Sequence, residues 1–170
     1  MKNITIEDAK LLGGSFKNFS GHATKFTAEG VRTFCVALDP DLADDMRAEG
    51  WNVRQLKPRE EGDEPLDYIQ VKVSFDNRPP KVVLITGNKR AILDEDSVGA
   101  LDWAELETVD IVITPYEWEF NGRTGVKAYL KSLYATQVVD ELDAKYSRSF
   151  ERTAEPGDAD DVLRDGELPF

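Results

Sequence analysis

A chain of 170 residues with 41% hydrophobic and 32% charged side chains has room for one domain with a proper core, which excludes wholesale disorder and two comfortable domains. One cysteine, Cys35, and one histidine, His22, exclude an intrachain disulfide and leave too few ligands for a zinc site, so neither cofactor nor metal is expected. The net charge of −12 speaks against nucleic acid only until the charges are placed along the chain.

Met1 to Lys10 has no apolar stretch of the secretory kind, and no run approaches the roughly 18 residues that span a bilayer, so a cytoplasmic protein without membrane contact is expected. The first dozen residues are weakly patterned and read as an arm or a short helix. Phe16 to Ser20 and Arg32 to Leu38 read as strands around a turn-rich stretch from Gly21 to Gly30. Asp39-Pro40 opens a helix, with Asp39 as its cap and Gly50 as its stop, and Leu42 and Met46 share one face. Trp51 to Leu56 reads as a short strand, and the acidic stretch Lys57 to Pro65 as a loop.

Asp67 to Phe75 alternates Ile69, Val71, Val73 and Phe75 with Tyr68, Gln70, Lys72 and Ser74, the pattern of a strand wet on one side. Lys81 to Thr86 is a buried strand followed by a Gly87-Asn88 turn. Asp94 is expected to cap a second helix running through Trp103 to about Glu107, with Trp51 and Trp103 in the core. Two long strands, Val109 to Phe120 and Val126 to Val138, then join across Asn121-Gly122, the strongest short-range hairpin signal. Beyond Tyr146 the pattern fades, and Ser147 to Phe170 reads as a disordered acidic tail.

This order predicts a mainly β fold: an OB-fold-like five-stranded Greek-key barrel with one or two short helices, a long protruding β-hairpin and a disordered acidic C-terminal tail. A β-sandwich is the rival. The expected division is a body over 1–146 and a tail over 147–170.

Two segments run against the overall charge. Ile69 to Arg90 holds Lys72, Arg78, Lys81, Lys89 and Arg90 against Asp76 alone, and Asn121 to Thr136 holds Arg123, Lys127 and Lys131 with no acid. A two-residue turn at Asn121-Gly122 sets Phe120 opposite Arg123, Trp118 opposite Gly125, Tyr116 opposite Lys127, Thr114 opposite Tyr129 and Val112 opposite Lys131, all on one face. The other face, with Val109, Ile111, Ile113, Val126, Ala128, Leu130 and Tyr134, is the expected core side. The first face interleaves Tyr116, Trp118, Phe120 and Tyr129 with Arg123, Lys127 and Lys131. Tyr68 and Lys72 repeat the arrangement on the outer face of the earlier strand. Aromatic rings stack on bases at about 1–3 kcal/mol per base while Lys and Arg follow phosphates, and neither contact selects a sequence. Packing on the tail or on a partner chain is the competing use of such a stripe.

From Glu155 onward six acids face one base, Arg164, and the chain stops at Asp165-Gly166-Glu167-Leu168-Pro169-Phe170. A partner protein can hold the terminal carboxylate, pocket the Phe ring and attract the acids at long range. This ending resembles the tip of bacterial single-stranded DNA-binding proteins, although Arg164 and Gly166 interrupt an acid run those proteins keep denser. The body resembles phage-encoded single-stranded DNA-binding proteins with an OB fold. The likeness is carried by Gly50-Trp51-Asn52-Val53, by Phe75-Asp76-Asn77-Arg78-Pro79-Pro80-Lys81 and by Gly125-Val126-Lys127-Ala128-Tyr129-Leu130-Lys131. The resemblance implies a protein without catalysis that coats single-stranded DNA during phage replication or recombination in the bacterial host cytoplasm. It also implies recruitment of replication and recombination proteins through the tip, whose function falls by position on Asp165, Glu167, Leu168, Pro169 and Phe170.

Catalytic alternatives are thin. Asp94-Glu95-Asp96 suits a helix N-terminus better than a magnesium site, Glu117 and Glu119 suit a solvated hairpin edge, and His22 has no motif around it. An adaptor or inhibitor using the aromatic face and tail, without direct DNA binding, is the second reading. Self-association through free edge strands is compatible with either.

Overall fold

The computed structural model describes residues 1–139 apart from 26, 59 and 77, and the statements below concern those residues. The strands are β1 (Ile4–Ile6), β2 (Lys10–Leu11), β3 (Lys17–Asn18) and β4 (Arg32–Leu38), followed after helix α1 (Pro40–Glu49) by β5 (Val53–Leu56), β6 (Leu66–Val73), β7 (Lys81–Thr86), β8 (Lys89–Leu93), β9 (Leu106–Phe120) and β10 (Arg123–Gln137). Two short 3-10 turns, Gly14–Phe16 and Val98–Asp102, complete the list. The chain is therefore mainly β with one α-helix and a long terminal hairpin, as its patterning requires. No described helix is long and apolar enough to cross a membrane.

Among the described residues the strands join in one open sheet in the order β1-β9-β10-β6-β4-β2, with β3 beside β4, β5 beside β6, and β7 linking β10 to β8. β10 runs antiparallel to β9 but parallel to both of its other neighbours. Its first half pairs with β6 at Ala128 and Tyr129, its second half with β7 from Ser132 to Thr136. A β-bulge between Leu130 and Ser132 falls where β10 changes partner, and the bend that an extra residue gives a strand makes that change feasible.

The bulge corrects the sequence reading in two places. Val112 stands opposite Ser132, so Lys131 is the extra residue of the bulge and not the partner of Val112. Every later side chain of β10 changes face. Leu133 and Ala135 are buried in the core, and Tyr134, expected on the core side, stands half-buried on the outer face opposite Asp110.

The core lies between the inner faces of the strands. Phe19 and Phe34 stack at 4.9 Å between ring centroids, and Val36, Val71, Ile111, Ile113 and Leu133 are fully buried around them. Helix α1 behaves as its ends dictate. Pro40 occupies the first turn, and Gly50 takes a left-handed φ of 99° that lets the Trp51 N–H donate to the Met46 carbonyl at 3.0 Å. Ala43 and Met46 are buried and Leu42 partly so, while Asp39 sits at the cap position without a side-chain cap bond. Arg47 of α1 and Gln55 of β5 both donate to the buried carboxylate of Asp67 on β6, which ties the helix to the sheet.

Three further expectations are corrected. The first dozen residues are neither arm nor helix. Ile4-Thr5-Ile6 pairs with Ile113, Val112 and Ile111, a β-branched triplet too short to show a period by itself. The Phe16–Ser20 strand shrinks to a 3-10 turn and two residues of β3. The second helix is only the five-residue turn Val98–Asp102, and Trp103 is 84% exposed instead of buried. Asp94 nevertheless organises that segment. Its carboxylate accepts from the Ser97 hydroxyl and from the amides of Asp96 and Ser97, and these bonds, led by the Ser97 hydroxyl, hold it below the usual carboxylate range.

The 3-10 turn is short because it is pinned to β3's continuation. Asp102 accepts from the amides of Phe19 and Ser20 at 2.8 and 2.9 Å and from the Ser20 hydroxyl. A Cβ on Gly99 would lie 2.8 Å from the Ser20 hydroxyl oxygen, so glycine permits the approach. Asp102→Ala leaves those three donors without their acceptor and is expected to lower stability by about 2–3 kcal/mol in urea denaturation. A change below about 0.5 kcal/mol would show that water replaces the carboxylate at little cost.

Candidate nucleic-acid interface

The hairpin closes as the Asn121-Gly122 pair demands. Both residues have positive φ, 52° and 76°, the geometry of a turn whose twist matches its strands. The register follows: Phe120 with Arg123, Trp118 with Gly125, Tyr116 with Lys127 and Thr114 with Tyr129. All share the outer face, and β6 adds Lys72 opposite Tyr129.

Three rings stand clear of the sheet, Phe120 at 70%, Tyr116 at 54% and Trp118 at 36% exposure. Tyr129 is half-buried and leans on Tyr116 at 5.5 Å, and the Lys72 ammonium sits 5.8 Å from the Tyr129 ring centroid. Trp118 lies across Gly125. A Cβ built on that glycine would come within 2.6–2.9 Å of the indole, so one face of the ring is covered by bare backbone. Arg123 and Lys127 are exposed on the same face, Lys131 is exposed at the bulge, and no described acid interrupts the face between Thr114 and Phe120. Glu117 and Glu119 are exposed on the opposite face, beside Glu49 at the end of α1. The hairpin thus has one aromatic and basic side and one acidic side.

Toward the body the aromatic face opens into a groove of about 490 Å³. Its lining includes Tyr68, Gln70 and Lys72 of β6, Arg54 of β5, Phe16 and Lys127. Tyr68 is buried and meets Phe16 edge-on at 5.6 Å, so it forms a wall and not a free stacking surface. Cys35, on the groove floor opposite Gln70, is pushed up to about 11 by burial despite the nearby Arg54 charge, and its thiol stays protonated near neutrality.

The structure therefore gathers Tyr116, Trp118, Phe120, Arg123, Lys127 and Tyr129 on one face and brings Tyr68 and Lys72 into the adjoining groove. Phe16 and Arg54 belong to the same groove and escaped the sequence reading. Arg54 stands opposite Tyr68 through the pairing of β5 with β6, a non-local register that no short motif announces. His22 is exposed, and among the described residues no group of three or more His, Cys, Asp or Glu is placed to hold a metal. Asp165, Glu167, Leu168, Pro169 and Phe170 lie outside the described residues.

No curated protein matches the chain. Among solved structures it is similar to the single-stranded DNA-binding protein of bacteriophage Enc34 in complex with ssDNA, with a TM-score of 0.52 and 12% identity over 81% of this chain and 88% of that one. A second structure of the Enc34 protein gives a TM-score of 0.49 at 14% identity over 84% and 89%. Gp2.5, a single-stranded DNA-binding protein encoded by bacteriophage T7, gives 0.37 at 12% identity over 91% and 96%. The first of these likenesses establishes a shared fold. The family model of the phage ssDNA-binding domain matches residues 1–166, nearly the whole chain, and the protein belongs to that family.

Proposed function

We propose that the chain binds and coats single-stranded DNA without sequence specificity, through base stacking on the hairpin face and phosphate contacts in the groove beside it. The observation that carries this reading is one acid-free stretch of the outer face on which three exposed rings, Tyr116, Trp118 and Phe120, stand with Arg123, Lys127 and, opposite Tyr129, Lys72. Each of these rings keeps exposed surface on which a base can stack, and a single strand offers unstacked bases that a duplex does not. Membership of the phage ssDNA-binding domain family supports the ligand, and with it a role in phage DNA replication or recombination.

The reading assigns no catalysis to the body. It gives the acidic C-terminal stretch 147–170 a separate task, recruitment of partner proteins through Asp165, Glu167, Leu168, Pro169 and Phe170.

A fluorescence titration tests the DNA reading. In a Trp103→Phe background Trp118 is the one exposed indole, because Trp51 is buried. Oligo-dT is expected to quench the emission strongly, duplex DNA weakly, and added salt to reduce the affinity. Silence toward both nucleic acids would overturn the proposal and favour the adaptor reading.

A further inference from the structure

We infer that the single-strand path does not end at Tyr129 but continues along β10 onto a second aromatic and basic subsite formed by Tyr134, Lys81 and Arg90. The inference rests on the single-strand reading above and lengthens the site it describes.

The bulge at Lys131 creates this subsite. β9 keeps its alternation from Phe120 back to Asp110, so Tyr134, opposite Asp110, shares the outer face with Tyr129 and Tyr116. The Lys81 ammonium lies 5.7 Å from the Tyr134 ring centroid, which repeats the 5.8 Å pairing of Lys72 with Tyr129. The register extends the face outward: Tyr134 stands opposite Val83 and Val83 opposite Ile92, while Ile85 stands opposite Arg90. Val83 is buried and Ile92 is 74% exposed, which gives an apolar floor with Lys81 and the exposed Arg90 at its edges.

Two acids flank the subsite, and both are engaged. Asp110 accepts the Asp8 amide from the β9 side, away from β7, and Asp94 accepts from Ser97 and Asp96 beyond the end of β8. Tyr129 and Tyr134 are four residues apart when measured on β9, or about 14 Å, the length of about four nucleotides at duplex rise. The arrangement also gives the basic stretch Ile69 to Arg90 a use that the hairpin face alone leaves unexplained.

The test uses the full chain and fluorescein-labelled oligo-dT of increasing length, with anisotropy read at several salt concentrations. Lys81→Gln changes an exposed side chain and leaves the fold intact, and Tyr134→Leu keeps an apolar body in place of the ring. Short oligonucleotides are expected to bind both variants as they bind the parent. On long ones Lys81→Gln should flatten the slope of log K against log salt by about 0.7, one phosphate contact, and Tyr134→Leu should weaken binding about tenfold. Parent affinity and parent slope at every length, in both variants, would overturn the extended path while leaving the hairpin site standing. A parent chain that binds no single strand would instead remove the reading on which it rests.

Discussion

Replacing Tyr116 and Trp118 together by alanine is expected to lower the affinity for oligo-dT by about two to three orders of magnitude, with the fold intact. Each ring is worth about 1–3 kcal/mol if one base stacks on it, and two adjacent bases lose their platforms at once. Both side chains project from the outer face, at 54% and 36% exposure, so their removal opens no core cavity. The cost to folding is confined to cross-strand contacts, Tyr116 against Tyr129 and Trp118 across Gly125, at about 0.2–1 kcal/mol each. Arg123, Lys127 and Lys72 remain, so the salt slope should hardly change while the affinity falls. That combination separates lost stacking from lost phosphate contacts, because removing Lys127 should instead flatten the slope and weaken binding to all sequences alike. An affinity within threefold of the parent would move the bases off this face.

The hairpin was legible because everything that sets it is local. Asn121-Gly122 fixes the turn, the turn fixes the register, and alternation then assigns each side chain from Thr114 to Tyr129 to a face. Legibility stopped at the bulge. Nothing in Leu130-Lys131-Ser132 announces an extra residue, because its cause is the exchange of β6 for β7 as the neighbour of β10, two pairings distant in sequence. A single slipped residue then carried Tyr134 from the expected core to the outer face.

The groove shows the same division. Alternation within one strand points to Tyr68 and Lys72, but Arg54 and Phe16 reach the groove only because β5 and the first 3-10 turn pack against β6. Trp103 misled for the opposite reason. A cap at Asp94 suggests a helix running through Trp103 with the indole in the core, whereas Asp102 spends its hydrogen bonds on Phe19 and Ser20 and holds the segment to a 3-10 turn with the indole outside.

Gly125→Val tests the pose of Trp118 without touching an aromatic or a charge. The backbone at Gly125 needs no glycine for its φ, and the gain from a β-branched residue in a strand offsets the lost contact with Trp118, so the variant should lie within about 1 kcal/mol of the parent. What changes is space. The new Cβ would fall 2.6 Å from Cζ2 of Trp118, 2.8 Å from Cε2 and 2.9 Å from Nε1, separations that real side chains do not tolerate, and the indole is the part free to swing away. Once displaced, the ring leaves its seat over Gly125, and a base that stacked on it must follow or detach. Affinity for oligo-dT should fall about tenfold, close to the effect of Trp118→Ala, while the urea midpoint moves little. In the Trp103→Phe background the emission of the free protein should shift to the red as the indole leaves its glycine bed. Parent affinity despite that shift would show that Trp118 binds equally well in another pose, and its seat on Gly125 would then be a feature of packing and not of binding.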